Sequence, residues 1–157
     1  MTEKSSVEKD SVLLAEEKFK LRNLLTESMR GKIDEETINN TEKNLSQNYE
    51  YVYAASATVV SFGFYSSYKI YIDGSKHFEG DAYGFHAPGY GKYVGRLHTN
   101  NIEKVFNECT HFLSAATTVT LMVGFSTSTF ITDIYGRFDG IGFGSVGGAS
   151  TGTGNWY

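Results

Sequence analysis

From Gly140 to Tyr157 the chain reads GIGFGSVGGASTGTGNWY, with glycine at seven of eighteen positions. Glycine costs a helix about 1 kcal/mol per residue relative to alanine, so this segment does not form one. Gly142, Gly144 and Gly147 do match the G-x-G-x-x-G spacing of dinucleotide-binding turns. Those glycines work because they open a helix whose N-terminus meets a pyrophosphate. Gly-Ala-Ser-Thr-Gly-Thr-Gly follows instead, so the spacing is a coincidence of composition. The remaining reading is a strand, with Gly140, Gly142 and Gly144 on one face and Ile141, Phe143 and Ser145 on the other. With Gly80 and Gly84 on another strand, these glycines cost about 3–5 kcal/mol relative to alanine. A small domain holds only about 5–15 kcal/mol in all. A tightly closed, strongly bent barrel compensates, because aromatic side chains from facing strands fill the space the glycines leave. Such an interior is full, which argues against a large ligand cavity.

Composition divides the chain near residue 50. Residues 1–50 hold 8 Lys/Arg, 11 Asp/Glu, one Gly and two aromatics, against 6, 7, 16 and 21 in residues 51–157. The first part is written for helix or disorder, the second for strands and turns. We therefore expect a charged arm over 1–48, helical or disordered, and a β-barrel domain over 49–157. In the arm, residues 11–30 read as a helix that Gly31 stops. Leu13, Leu14, Leu21, Leu24, Leu25 and Met29 fall within about 160° of its circumference, enough to pack on the barrel or on a second copy of the chain. A second, weaker helix is expected from a cap at Asp34 to about Ser46, anchored by Ile38 and Leu45.

Beyond residue 50 the period is two. Tyr68, Ile70 and Ile72 share one strand face, and Asp73-Gly74 is a turn dipeptide. Phe78, Gly80, Ala82 and Gly84 alternate with Glu79, Asp81 and Tyr83. Pro88-Gly89 breaks the chain before a strand over 90–98, and Asn100 or Asn101 caps a short helix near 101–107. One long strand is expected over 110–125, another over 130–138 and a last one over 141–146. Six to eight strands without long intervening helices must pair antiparallel, as a meander or Greek-key barrel or sandwich.

The ordered set Phe78-Glu-Gly-Asp-Ala-Tyr-Gly, Pro88-Gly-Tyr-Gly and Gly95-Arg-Leu-His-Thr, ahead of a short helix, resembles the virulence-associated (Vap) proteins of rhodococci. So does the ending, with Gly147-Gly148, Ser150, Gly152 and Gly154-Asn155-Trp156. The resemblance covers about residues 51–157. It implies an all-β fold, a compact closed eight-stranded antiparallel Greek-key β-barrel with one short internal helix. It also implies a secreted virulence effector that acts on the host endolysosomal compartment by perturbing membranes, partnered by a host membrane or host protein. The family offers no catalytic residues to carry over, and neither a cofactor nor a metal is expected.

The opening MTEKSSVEKD lacks the apolar core of a secretory signal, so secretion is expected from the resemblance alone. A net charge of −4 argues against nucleic acid as a partner. One cysteine, Cys109, permits neither a disulfide framework nor a C-x-x-C site. His77, His86, His98 and His111 lack metal-site spacing and are expected to face solvent from strands. Asp73, Asp81, Asp133 and Asp139 are the carboxylates a hydrolase would draw on, but Asp73 and Asp139 read as turn residues beside glycine. Cys109 near His111 lacks an orienting third group. Exposed aromatics remain, since 21 exceed what one small barrel can hold. Tyr65, Tyr68, Tyr90, Tyr93 and Trp156 are the candidate surface contacts. The alternatives to a membrane-acting effector are a barrel that binds a glycan or protein partner and, more remotely, a small hydrolase.

Overall fold

The computed structural model describes residues 16, 19–20, 23–24, 26–27, 34–45, 49–128 and 134–157. Helix α1 spans Glu35–Leu45 and helix α2 Ile102–Glu108. The strands are β1 Tyr51–Ser61, β2 Tyr65–Ile72, β3 His77–Tyr83, β4 Gly89–Thr99, β5 His111–Ala116, β6 Thr120–Ser126, β7 Ile134–Gly144 and β8 Gly148–Trp156. All neighbouring pairs are antiparallel, and the eight strands close into a barrel in the order β1-β2-β3-β8-β5-β6-β7-β4. Around that circle β4 lies beside β1 and β8 beside β5, so each half of the barrel is a Greek key of spatial order 4-1-2-3. The expected eight-stranded Greek-key barrel with one internal helix is the observed fold.

The glycines take the inward face, as their alternation demanded. Gly91, Gly95, Gly140 and Gly144 pair as Gly91↔Gly144 and Gly95↔Gly140, and Gly80 pairs with Gly154. Rings two residues away on the same strand face lie over them. A Cβ at Gly80 would stand 2.6 Å from the Phe78 ring, one at Gly91 2.7 Å from Tyr93, and one at Gly140 2.7 Å from Phe138. Phe78 also meets Phe112, Phe125 and Trp156 at ring-centroid separations of 5.4, 5.2 and 5.2 Å. These edge-on and tilted contacts are the arrangement aromatic quadrupoles favour.

Three strand readings are corrected. The run expected as one strand over 110–125 folds back at Thr117-Thr118-Val119, without glycine or proline. The Thr117 amide donates to the Thr120 carbonyl at 2.9 Å, and the Thr117 side-chain oxygen accepts from the amides of Val119 and Thr120. Asp139-Gly140 is not a turn: β7 runs through it, because Arg137 Nε donates to Asp139 Oδ2 at 2.7 Å across one strand face. Residues 130–133 of the expected strand lie outside the described residues. The glycine-rich ending forms a full strand, β8, paired with β3 and β5.

Helix α2 is capped by Asn101, whose side chain accepts from the Lys104 amide at 3.1 Å, and buries Val105 in the core. Helix α1 begins at Asp34, whose carboxylate accepts from the Thr37 amide at 2.7 Å. Its Ile38 is buried with Leu113, Ala115, Met122 and Ile134, side chains on the outer face of β5, β6 and β7. That helix explains why β6 is buried on both faces. Of the arm's expected packing face, Leu24 is helical and exposed. Leu13, Leu14, Leu21, Leu25 and Met29 lie outside the described residues.

Candidate functional site

The connections β1–β2, β3–β4, β5–β6 and β7–β8 all emerge at one end of the barrel. Their residues, Phe62-Gly-Phe, Gly84-Phe-His-Ala-Pro, Thr117-Thr-Val and Ser145-Val-Gly, include no Asp, Glu, Lys or Arg. Large apolar side chains crowd this end and stay in solvent: Phe143 is 86% exposed, Phe64 76%, Tyr83 71% and Phe62 69%. Phe85, Tyr90, Val94 and Ile141 are also exposed. The rings touch one another, Phe64 against Phe85 at 5.8 Å, Phe62 against Tyr65 at 6.0 Å and Tyr65 against Tyr83 at 5.6 Å. On the flank, Val60 pairs with Tyr90 and Val94 with Ile141, extending the surface along β1, β4 and β7. Contiguous exposed apolar area on this scale marks an interaction site rather than random surface.

Alternation explains how the residues get there. Each inward ring or glycine fixes its chain neighbours outward. Gly142 and Gly144 thus place Phe143 in solvent, and inward Gly91 and Tyr93 leave Tyr90 and Val94 outside. Of the expected contacts, Tyr65 and Tyr90 belong to this surface. Tyr68 and Tyr93 do not: both are fully buried, and that expectation is corrected. Tyr68 packs edge-on against Phe112 at 5.0 Å, and Tyr93 fills the space over Gly91, Gly140 and Gly144. Burial pushes the Tyr93 phenol up to about 12. Trp156 is half-buried at the opposite end, its ring between Phe78, Phe106 and Phe125. Sequence reasoning missed Phe62, Phe64, Phe85 and Phe143, although the pattern phenylalanine-glycine-phenylalanine at a hairpin was visible.

Directly beneath the aromatic end lies a buried polar cluster. His86 is fully buried, which corrects its reading as a solvent-facing polar residue. Its Nδ1 is 2.7 Å from the Val146 carbonyl, which assigns the ring proton there. Its Nε2 therefore accepts, with Ser150 Oγ at 2.7 Å and the Tyr68 hydroxyl at 3.2 Å. Burial lowers the imidazole's proton affinity, partly opposed by the Val146 hydrogen bond. A hydroxyl so close to an imidazole has the form of an activated nucleophile. Here the third position is a backbone carbonyl and the ring is closed off from solvent, so the pair holds structure together.

A polar groove of about 540 Å³ runs over β2, β3 and β8 on the outer wall, floored by Gly80 and Gly154 and flanked by Lys69, Glu79, Asp81 and Asn155. Tyr71, His77 and Tyr157 stack at its end, 5.3 and 5.6 Å between centroids. Elsewhere the chemistry disperses. Cys109 is buried and its thiol is pushed up to about 12 by burial. His111 lies 3.2 Å from Thr110 Oγ1. Asp73 sits in the β2–β3 turn, Asp81 accepts from the Tyr65 hydroxyl, and Asp139 pairs with Arg137, while Asp133 lies outside the described residues. Among the described residues no three His, Cys, Asp or Glu side chains converge as a metal site, and no helix is long and apolar enough to cross a membrane.

Residues 7–157 match the family described as Rhodococcus equi virulence-associated protein. The match reaches well into the charged arm, beyond the residues 51–157 that carry the resemblance. Among solved structures, the virulence-associated protein VapD of the intracellular pathogen Rhodococcus equi is 29% identical with a TM-score of 0.62, covering 68% of this chain and 97% of its own. VapB from the same organism is 25% identical with a TM-score of 0.62, covering 68% of this chain and 96% of its own. No curated protein sequence matches.

Proposed function

The chain belongs to the Rhodococcus equi virulence-associated protein family, and from that premise we propose that it is a secreted, non-enzymatic virulence effector whose aromatic barrel end rests on a host membrane, that of the endolysosomal compartment. One observation carries the reading: four connecting loops meet at this end without a charged residue, while phenylalanine and tyrosine project from it into solvent. Moving a charge into a headgroup layer is expensive, and this surface has none in its loops to move. Aromatic side chains favour that layer, where an apolar ring and a polar tip are both accommodated. Each phenylalanine that enters contributes roughly 1.5–3 kcal/mol by area. Phe62, Phe64, Phe85 and Phe143 together therefore suffice for reversible adsorption, after the cost of immobilisation. The barrel stays folded on the surface, because the same end shields a tightly packed interior.

The test is co-sedimentation with phosphatidylcholine vesicles. The wild-type chain is expected to partition to the pellet. The variant Phe62→Ser, Phe64→Ser, Phe85→Ser, Phe143→Ser should lose at least tenfold in partition while keeping its far-ultraviolet spectrum. Equal partition of the two proteins, or none by either, removes the membrane reading.

The groove over β2, β3 and β8 favours a second reading, a glycan-binding module. Stacked rings at its end offer a platform for a sugar face, and Lys69, Glu79, Asp81 and Asn155 offer hydrogen bonds to hydroxyls. A glycan array bound equally by the wild type and the four-phenylalanine variant would support it, since that variant leaves the groove intact.

A further inference from the structure

The Phe85-bearing loop between β3 and β4 sends one of its side chains, that of His86, into the barrel end. Its limits are Gly84 and Gly89, at φ +148 and +147, a region that L side chains rarely enter. Between these two pivots His86 turns inward while Phe85 turns out to meet Phe64. Backbone hydrogen bonds add to the fastening, from the Gly84 amide to the Phe64 carbonyl at 3.2 Å, from the His86 amide to the Gly63 carbonyl and from the Ala87 amide to the Gly147 carbonyl, the last two at 3.0 Å. The Ser61 hydroxyl reaches the His86 carbonyl at 3.4 Å. The imidazole thus ties the loop to β8 through Ser150, to the β7–β8 turn through Val146 and to β2 through Tyr68.

The hydrogen-bonding partners of this ring are all neutral. From β2 comes the Tyr68 phenol, from β8 the Ser150 hydroxyl and from the β7–β8 turn the Val146 carbonyl, while the Ser61 hydroxyl of β1 meets the His86 backbone carbonyl and not the ring. None of these described partners is a carboxylate that would compensate an imidazolium. A proton added at Nε2 would also convert that atom from acceptor to donor, so the Ser150 and Tyr68 hydroxyls would both have to swing their hydrogens away and compete to accept the single N–H. We propose that His86 is an acid-released latch: neutral, it pins the β3–β4 loop to the barrel, and protonated it lets the loop swing out on Gly84 and Gly89, carrying Phe85 away from the wall.

The sign follows from linkage. Burial holds the ring below the ordinary value of 6.5 in the closed loop, and an open loop restores that value. Closure is therefore fully favoured above about pH 6.5 and weakens as pH falls below it, by up to about tenfold per unit, until the closed ring itself takes up a proton. Released in acid, Phe85 extends the aromatic end. This second half rests on the membrane reading above, whereas the latch does not.

Hydrogen exchange of the full chain, corrected for intrinsic rates, tests the latch between about pH 7.5 and pH 5. Residues 84–87 are expected to lose protection at least tenfold on acidification, while the β2–β3 turn at 73–76 does not change. The variant His86→Gln should show no such acid response, and the His86 ring resonance of the wild type should titrate together with the loss of protection. Protection of 84–87 that is independent of pH, or an acid response that persists in His86→Gln, overturns the proposal. Should His86→Gln fail to fold, the wild-type exchange and ring titration decide alone. Phosphatidylcholine vesicles added at both pH values separate the two readings. Loop opening without vesicle binding leaves the latch standing and removes the membrane contact. Vesicle binding that is equal at both pH values without loop opening does the reverse.

Discussion

A glycine is informative here according to what its missing Cβ would meet. At Gly95 a Cβ would run into the Asp139 carbonyl oxygen and stand 2.6 Å from the Gly140 Cα, both backbone of the neighbouring strand. Neither can yield without breaking the β4–β7 register. At Gly147 the nearest atom is the Ala116 carbonyl oxygen at 3.6 Å, an ordinary contact. Gly95→Ala is therefore expected to cost about 2–4 kcal/mol, in the range of overpacked cores. Gly147→Ala should be neutral or gain up to about 1 kcal/mol by restricting the unfolded chain. Urea titrations of the two variants check this, and a Gly95→Ala midpoint equal to wild type would mean that the strands are not in close approach.

At the scale of elements, α1 behaves as a strap on the barrel. Its described apolar contact is Ile38 against Leu113, Ala115, Met122 and Ile134, outside the ring-filled interior. Ile38→Asp should therefore detach the helix without melting the barrel. Amides over 35–45 would exchange freely while those of β4 keep their protection. The uncovered outer face of β5 and β6 should then promote self-association, read by sedimentation velocity. Cooperative loss of β4 protection along with α1 would make the helix part of the core instead. This element was legible from its Asp34 cap and from Ile38. The strands were legible from period two and the bent, filled sheet from glycines alternating along them, whereas the Greek-key order came from the family resemblance, because glycine pairs such as Gly91↔Gly144 are too far apart in sequence to read locally. Tyr68 was readable as well, since it shares a strand face with Ile70 and Ile72. Tyr93 was not, because the space it fills over Gly91 is completed by Gly140 and Gly144 of β7, about fifty residues away. His86 escaped for the same reason: no local period announces that Val146 and Ser150 come to meet it. The β5–β6 hairpin hid behind threonine, which makes the turn with its hydroxyl where glycine would have signalled it. Asp139 misled because Asp-Gly is a hairpin signal, whereas here Arg137 on the same face of β7 pairs with it and His98 of β4 lies across from it.

Across the whole molecule, charge is kept out of the loops that carry the largest exposed rings. Asp73, Lys76, Glu103, Lys104 and Glu108 lie in or beside the connections at the end α2 occupies, whereas the loops at the aromatic end carry none. Lys92, on the flank between Tyr90 and Val94, is the nearest basic residue in sequence to the exposed ring positions of β4. A surface so built should bind lipid through burial of rings and not through attraction to headgroups. Electrostatic adsorption gains about 1 kcal/mol per basic residue near an anionic surface, and salt removes that gain within a Debye length. With a net charge of −4, this chain should instead be mildly repelled by anionic lipid at neutral pH. Partition onto phosphatidylcholine is therefore expected to change less than about twofold between 0.05 and 0.5 M salt. Adding anionic lipid at low salt should weaken it or leave it unchanged. Binding that rises with anionic lipid and collapses in salt would place the contact on the charged arm or the α2 end, and the aromatic loops would then be exposed for another purpose.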